Sequence, residues 1–186
     1  ISSIISLPMC YDSIDGSIAL VVTGGTAPYS HNWSNGDINS ILVDGSGFYS
    51  DTILDVNNCE IIFSDFILDP SPLQVNGTVE EVSCYGLSDG EINLLISGGT
   101  SPYSYLWSNG NSQNDIDSLI VGSYIVTVID ANSCIEADSF LVNQPSSELI
   151  ILSSITSPGC FNSSDGIIDL QVSGGESPYQ FLWNDG

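Results

Sequence analysis

The sequence has 186 residues, of which 42% are hydrophobic, and it contains no Lys or Arg against 23 Asp and Glu residues. The apolar fraction is ordinary for a globular protein. A chain without these cationic side chains cannot neutralise the phosphates of nucleic acids or anionic lipids, so both classes of partner are excluded. No run is long and apolar enough to cross a bilayer, and we expect no direct membrane insertion by this segment.

Three segments recur along the chain in the same order. The first copy has Cys-Tyr-Asp-Ser-Ile-Asp-Gly at 10–16, Gly-Gly-Thr-Ala-Pro-Tyr at 24–29 and Trp-Ser-Asn-Gly at 33–36. The matching segments lie at 84–90, 98–103 and 107–110 in the second copy and at 160–166, 174–179 and 183–186 in the third. Cys84 follows Cys10 by 74 residues and Cys160 follows Cys84 by 76, a period that is too long for a solenoid and typical of small tandem domains.

A second half of the repeat is present in the first two copies. Gly-x-Tyr at 47–49 leads to Asp-Val-Asn-Asn-Cys at 55–59, and Gly-x-Tyr at 122–124 leads to Asp-Ala-Asn-Ser-Cys at 130–134. Proline-containing segments follow each of these halves and predict short, stiff junctions. We therefore predict a repeat module at 1–70, whose N terminus we expect to be truncated, a second module at 71–145, and a partial third module at 146–186.

The segments between the turn motifs predict an all-β fold. Residues 91–97 and 123–129 are rich in β-branched side chains, and no segment shows a sustained helical period. Short strands with turns about every eight to twelve residues favour a β-sandwich. Two features indicate a β-sandwich of the immunoglobulin-like type. One is a Trp in each copy that is placed to fill a core, namely Trp33, Trp107 and Trp183. The other is a Gly-x-Tyr segment placed as in a tyrosine corner. We predict a tandem array of small immunoglobulin-like β-sandwich modules, each with one disulfide.

The five cysteines recur as one pair in each complete copy and a single cysteine in the third copy. Cys10 and Cys59 are 49 residues apart in the first copy, and Cys84 and Cys134 are 50 apart in the second. We predict Cys10–Cys59 and Cys84–Cys134 disulfides, with the partner of Cys160 outside the sequence. Closing a loop of about 50 residues would stabilise so small a domain by roughly 4 kcal/mol in the loop-entropy model. Cysteines this far apart do not favour a metal site.

Five motifs taken together resemble the SprB repeats of giant cell-surface gliding-motility adhesins of Bacteroidota. They are Cys-Tyr/Phe-x-x-x-Asp-Gly, Ser-Gly-Gly-x-x-Pro-Tyr, Trp-Ser-Asn-Gly, Gly-x-Tyr-x-Val-Thr-Val and Asp-x-Asn-x-Cys. The second copy carries all five, whereas the first has Thr23 before its glycines and a divergent 47–55 segment. The Gly-x-Tyr half also resembles PKD-type sandwiches. The resemblance implies a long secreted filament, exported by the type IX route and serving adhesion or gliding motility.

No residue is predicted to be catalytic. His31 is the single histidine, and it aligns with Tyr105 and Phe181, which indicates an aromatic position on a strand rather than a general base. A Ser-His or Cys-His pair cannot form in the second and third copies, and a repeating array seldom confines its chemistry to one copy. We expect the chain not to be an enzyme.

Calcium is the one cofactor that the sequence leaves open. Hard cations take several oxygen ligands, and acidic and amide side chains recur at matching positions in the turns. The candidate ligands are Asp15, Asp89, Asp165, Asp55, Asn57, Asp130 and Asn132. The alternative is that the Asp-Gly and Asp-x-Asn segments simply form tight turns, and the sequence has no EF-hand loop.

Two classes of function remain. The first is a structural or adhesive repeat segment, the shaft of a long extracellular bacterial surface filament, with neighbouring repeats and other filament strands as partners. The second is a carbohydrate- or surface-binding array whose partner would be a surface polysaccharide. The recurring aromatic residues are placed where a core needs them, which favours the shaft.

Overall fold

In the computed structural model, which describes residues 1–184, the chain is built from strands and turns. The described residues form β1 (Ser2–Ser6), β2 (Gly16–Val21), β3 (Ile41–Asp44), β4 (Gly47–Leu54), β5 (Glu60–Ile67), β6 (Gln74–Glu80), β7 (Gly90–Ser97), β8 (Ser104–Trp107), β9 (Ile116–Leu119), β10 (Gly122–Ile129), β11 (Ile135–Val142), β12 (Ile150–Thr156) and β13 (Ile167–Ser173). Within this part of the chain no helix is long and apolar enough to cross a membrane. The prediction of an all-β fold is confirmed. Asp185 and Gly186, the end of the third Trp segment, lie outside the described residues.

The strands pair into sheets whose order repeats from copy to copy. In the first copy β1, β2 and β3 form one sheet, and β4 pairs with β5. In the second copy β6, β7 and β9 form the matching sheet, and β8, β10 and β11 form the other. Bridges join Ser30 to Leu54 and Trp33 to Asp51, so residues 30–33 lie beside β4 as β8 lies beside β10. In the third copy β12 pairs with β13.

Two compact units divide the chain. The first consists of Ile1–Val75, Ile96–Tyr105 and Thr127–Ala137, and the second of Asn76–Leu95, Leu106–Val126 and the described residues from Asp138 onward. The division splits the module predicted at 71–145, whereas residues 1–70 lie wholly in the first unit and the described residues from 146 onward lie in the second, so the module boundaries stay a prediction.

The core of the first unit lies between its two sheets. β2 and β4 alternate buried and partly exposed residues, as expected where one face of a sheet is covered. Trp33 is 2% exposed and meets Phe63 edge to face, with the ring centroids 6.4 Å apart. Its indole N–H donates to the Asn39 carbonyl at 2.8 Å, so the buried polar group is satisfied. The other core residues are Ile18, Leu20, Leu42, Tyr49, Ile53 and Ile67.

The second unit has a matching core around Trp107. This side chain is 2% exposed, lies 6.1 Å from Phe140 between ring centroids, and donates its indole N–H to the Gln113 carbonyl at 2.9 Å. The predicted core positions of Trp33 and Trp107 are therefore confirmed. The prediction for Trp183 is wrong, because this side chain is 45% exposed. In the first copy Trp33 is covered by β4 and β5, which follow it, and the third copy has only β12 and β13 among the described residues.

A tyrosine corner is present in each of the first two copies. The Tyr49 hydroxyl donates to the carbonyl of Gly45 at 3.0 Å, and the Tyr124 hydroxyl donates to that of Ile120 at 3.0 Å. Each phenol therefore bonds back to the chain four residues upstream, the arrangement found in immunoglobulin-like sandwiches. Burial raises the pKa of Tyr49, with a smaller contribution from the nearby Asp44 carboxylate. The immunoglobulin-like prediction is confirmed.

Candidate functional site

A disulfide joins Cys10 to Cys134, 124 residues apart in sequence and 5.6 Å apart between Cα atoms. It links the start of the first copy to the end of the second, and both cysteines belong to the first compact unit. The predicted Cys10–Cys59 and Cys84–Cys134 pairings are therefore wrong. Cys59, Cys84 and Cys160 are exposed thiols. The predicted disulfide has formed, but between successive copies rather than within one.

The length of β2 explains why Cys10 cannot reach Cys59. Cys10 precedes β2, which begins at Gly16, whereas Cys59 lies in a turn that bonds to Thr26, beyond the other end of that strand. Six residues of strand span about 20 Å, and disulfide cysteines need Cα atoms within about 7 Å. The two cysteines of one copy thus lie near opposite ends of the same strand. β7 has the same place between Cys84 and Thr100, to which the Cys134 turn bonds.

The carboxylate of Asp130 builds the turn that carries Cys134. It accepts the backbone N–H groups of Thr100, Asn132 and Cys134, each at 2.8 Å. Burial is the largest influence on this carboxyl and acts to raise its pKa, but the three N–H donors outweigh it, so the pKa of Asp130 is lowered overall. A Cβ at Gly99 would lie 2.9 Å from the Asp130 Oδ2, so this close approach needs glycine.

The carboxylate of Asp15 builds the turn that carries Cys10. It accepts the backbone N–H of Met9 at 3.1 Å and the hydroxyl of Ser13, and these bonds lower the pKa of Asp15, with the Ser13 hydroxyl first in importance. The N–H of Ser13 in turn donates to the Cys10 carbonyl at 3.2 Å. A four-residue turn is thereby fixed, with Cys10 as its first residue.

Asn132 connects the two turns beside the disulfide. Its side-chain amide donates to the Met9 carbonyl and to the Thr100 hydroxyl, at 3.0 and 3.1 Å. A cleft of about 300 Å³ is lined by both disulfide cysteines, together with Pro70, Pro72 and Leu73. The sequence identified Asn132 and Asp130 as possible calcium ligands and missed this role. A signal was available, because two cysteines per copy are equally compatible with pairing to the next copy.

The candidate calcium ligands are occupied by turn contacts. Asp55 accepts N–H groups of Thr26, Asn57 and Cys59 at 2.8 to 3.0 Å, as Asp130 does in the next copy. The bonds from Cys59 and Thr26 contribute most to lowering the pKa of Asp55.

The Asp-Gly carboxylates are held in the same way. Asp89 accepts the N–H and hydroxyl of Ser83, and Asp165 accepts the N–H of Gly159 and the hydroxyl of Ser163. Nowhere among residues 1–184 do three His, Cys, Asp or Glu side chains come together as a metal would need. The Asp-Gly and Asp-x-Asn segments are turns in the structure, and calcium binding stays a prediction.

His31 is bonded to a buried carboxylate. Its Nδ1 lies 2.6 Å from the Asp51 Oδ2, and Asp51 is fully buried. The Asp51 Oδ1 also accepts the N–H of Asn32 at 2.8 Å. The predicted aromatic position is therefore occupied by a polar pair, and the residues that stand there in the second copy are Tyr105 and Val126.

Comparison with known proteins agrees with the repeat seen in sequence and structure. The family model "SprB repeat" matches residues 3–38, 76–112 and 152–186, more than half of the chain. No curated protein matches the sequence. Among solved structures, a C-terminal 282-residue fragment of intimin, crystallised with the intimin-binding domain of its translocated receptor, aligns at 14% identity with a TM-score of 0.39. That alignment covers 82% of this chain and 66% of the intimin chain. On the threefold match of its repeats, this chain belongs to the SprB-repeat family.

Proposed function

We propose that this chain is part of the shaft of a long extracellular bacterial surface filament of the adhesin type, in which the repeats supply length and durability. The observation that carries the proposal is the Cys10–Cys134 disulfide, which bonds one repeat covalently to the next. Structural disulfides persist in oxidising surroundings, as outside the cell. Gliding motility and export by the type IX route belong to the same proposal, and the SprB-repeat family supports them.

The composition supports durability outside the cell. Because the chain contains no Lys or Arg, proteases of trypsin specificity have no site to cleave. The net charge of −23 keeps the surface hydrated and repels other copies of the chain, which favours solubility over collapse.

The Trp and Pro-Tyr positions serve the fold in the first two copies, whereas Tyr11, Tyr85 and Phe161, which follow the first cysteine of each copy, are exposed. Trp33 and Trp107 are buried, and the hydroxyls of Tyr29, Tyr103 and Tyr179 each donate to the carbonyl of the glycine five residues earlier, at 2.6 to 2.7 Å. These contacts favour the shaft over the carbohydrate-binding array.

Labelling of intact cells tests the proposal. Gold-conjugated antibodies raised against this chain should decorate filaments of producing bacteria at repeated positions along their length, and a glycan array probed with the chain should show no binding. Label confined to the filament tip or to the cell interior would contradict a shaft. Saturable binding to one glycan class, lost on competition with the free sugar, would support the binding array instead.

A further inference from the structure

The two turns that carry Cys10 and Cys134 recur in the other copies. In each of the three copies, an Asp carboxylate accepts the backbone N–H of the residue that precedes the first cysteine, at 3.0 to 3.2 Å. These first cysteines are Cys10, Cys84 and Cys160. The carbonyl of each of these cysteines also accepts the N–H of the residue three positions on, at 3.1 to 3.2 Å. Cys84 and Cys160 therefore lie in turns of the same kind as the turn in which Cys10 bonds to Cys134.

The side of the second cysteine is equally well preserved in the first copy. The Asp55 carboxylate accepts the N–H of Cys59 at 2.9 Å, where Asp130 accepts that of Cys134 at 2.8 Å. The Asn57 amide donates to the Thr26 hydroxyl at 3.1 Å, the same distance as from Asn132 to Thr100. Cys59 is thus held as Cys134 is, with its thiol exposed.

The surroundings of Cys84 repeat those of Cys10. A cleft of about 410 Å³ in the second unit is lined by Cys84, Tyr85, Pro145 and Gly175, and the cleft at the disulfide is lined by Cys10, Tyr11, Pro70 and Gly99. The backbone also packs equally closely against the first glycine of the Gly-Gly pair in the second and third copies. A Cβ at Gly98 would lie 1.9 Å from the Pro72 carbonyl oxygen, and a Cβ at Gly174 would lie 1.9 Å from that of Glu148.

We propose that Cys59, Cys84 and Cys160 are sites of further disulfides between successive repeats, following the connectivity that Cys10–Cys134 displays. The first cysteine of every repeat bonds to the second cysteine of the repeat that follows. Cys84 then pairs with a cysteine in the second half of the third repeat, and Cys160 with one in a fourth. Cys59 pairs with the first cysteine of a repeat preceding the first copy. The partner is in each case another copy of this repeat, whatever the function of the whole protein.

The chemistry is two-step thiol–disulfide exchange and needs a disulfide oxidant. The thiolate of one cysteine attacks the oxidant's disulfide, forming a mixed disulfide and releasing one oxidant thiolate. The second cysteine thiolate attacks the protein sulfur of that mixed bond and releases the other. Two electrons pass to the oxidant, whose disulfide becomes two thiols, and the two cysteine protons are taken up by those thiols.

The connectivity makes consecutive covalent loops overlap along the chain. The loop from Cys10 to Cys134 already contains Cys84, from which the next loop starts. Every junction between repeats is then enclosed by a disulfide, so a cut or an unfolding event between bonded cysteines does not separate the flanking parts. Disulfides within single repeats would leave each junction dependent on the backbone alone.

An extended chain tests the proposal at Cys84. A copy of residues 111–145 is fused after Gly186, which completes the third repeat and adds a copy of Cys134. After oxidation with oxidised glutathione, thiol alkylation and cleavage at Asp and Glu, we expect peptides joining Cys84 to the added cysteine, with Cys59 and Cys160 alkylated. A bond from Cys160 to the added cysteine, or alkylation of both Cys84 and the added cysteine in a folded third repeat, would overturn the proposal.

Two controls accompany that experiment. In the extended chain with Cys84→Ser, the added cysteine should become fully alkylated, and its continued bonding would count against the proposal. A shift of the tryptophan emission to shorter wavelength, relative to the chain without the extension, reports whether the third repeat has folded, since Trp183 is the one exposed indole and a covered indole emits at shorter wavelength. If it has not folded, the chain is instead preceded by a copy of residues 71–145. Cys59 should then bond to the added copy of Cys84, and an alkylated Cys59 would overturn the connectivity.

Discussion

At the scale of single residues, the buried pair of His31 and Asp51 distinguishes the first copy from the second. The carboxylate lies in the core of the sandwich, with both oxygens bonded, to the imidazole and to the Asn32 N–H. Tyr105 and Val126 stand at the same two positions in the second copy, so the same fold accommodates either a His–Asp pair or a Tyr–Val pair there. A buried polar pair of this kind is strongly coupled, because either partner alone leaves the other unsatisfied.

Replacing one partner of this pair should cost much more than replacing both. Asp51→Val leaves the His31 imidazole without its carboxylate, and we expect the free energy of unfolding to fall by about 3 kcal/mol. The double variant His31→Tyr with Asp51→Val installs the residues of the second copy and should recover most of that loss. Chemical denaturation of the wild type, the two single variants and the double variant measures the coupling. Additive effects of the two substitutions would show that the pair is not coupled.

The carboxylate of Asp130 gives the Cys134 turn a defined acid sensitivity. Its folded-state pKa is lowered below the ordinary 3.8, so the charged form stabilises the fold above that pH. This contribution is fully present at neutral pH and is lost as the pH falls below 3.8 through the lowered pKa. We expect the wild type to melt at a higher temperature than Asp130→Asn at pH 7, and the difference to shrink below pH 3.8. A difference that stayed constant down to pH 2 would contradict this origin.

Asp138→Asn serves as a matched control for that series. This carboxylate is exposed near the middle of β11 and contacts only its neighbour, the N–H of Ser139, among the hydrogen bonds described. Its replacement should change the free energy of unfolding by less than about 0.5 kcal/mol, as is usual for surface positions.

At the scale of strands and turns, local pattern predicted most of the fold. The alternation of buried residues in β2 and β4, the core positions of Trp33 and Trp107, and the tyrosine corner at Tyr49 each depend on a few neighbouring residues. The disulfide pairing could not be predicted in this way. It depends on which end of β2 each cysteine occupies, and therefore on the path of the chain through the whole sandwich. The prediction for Trp183 was wrong for a different reason, because the described part of the third copy has no counterparts of β4 and β5, the strands that cover Trp33.

The glycine pair before the second Pro-Tyr segment should be sensitive to a single methyl group. In Gly98→Ala the Cβ would meet the Pro72 carbonyl oxygen at 1.9 Å, at a φ of +67°. We expect the variant to lose more than about 3 kcal/mol of unfolding free energy, from overpacking together with left-handed strain. Chemical denaturation measures the loss.

Gly110→Ala separates the two contributions. Gly110 has a φ of +85°, but a Cβ there would meet nothing within 4 Å. Only the backbone strain remains, so this variant should lose about 1 kcal/mol. Equal losses in Gly98→Ala and Gly110→Ala would show that the contact with Pro72 contributes nothing.

At the scale of the whole molecule, the Cys10–Cys134 bond determines how far the chain can be stretched. The two cysteines are 124 positions apart, and the disulfide bypasses the chain between them when the ends are pulled. At about 3.4 Å per extended residue, this removes about 40 nm from the contour length of the unfolded chain. Single-molecule pulling should therefore show a chain about 40 nm longer for Cys10→Ser than for the wild type. Cys59→Ser should match the wild type, and an increase of about 17 nm in both variants would indicate a Cys10–Cys59 bond instead.

Peptide mapping tests the covalent link between successive repeats. The oxidised chain is alkylated without reduction, cleaved at Asp and Glu because trypsin has no site, and analysed by mass spectrometry. The structure predicts one linked pair of peptides, carrying Cys10 and Cys134, with alkylated Cys59, Cys84 and Cys160. Linked peptides carrying Cys10 with Cys59 and Cys84 with Cys134 would contradict it.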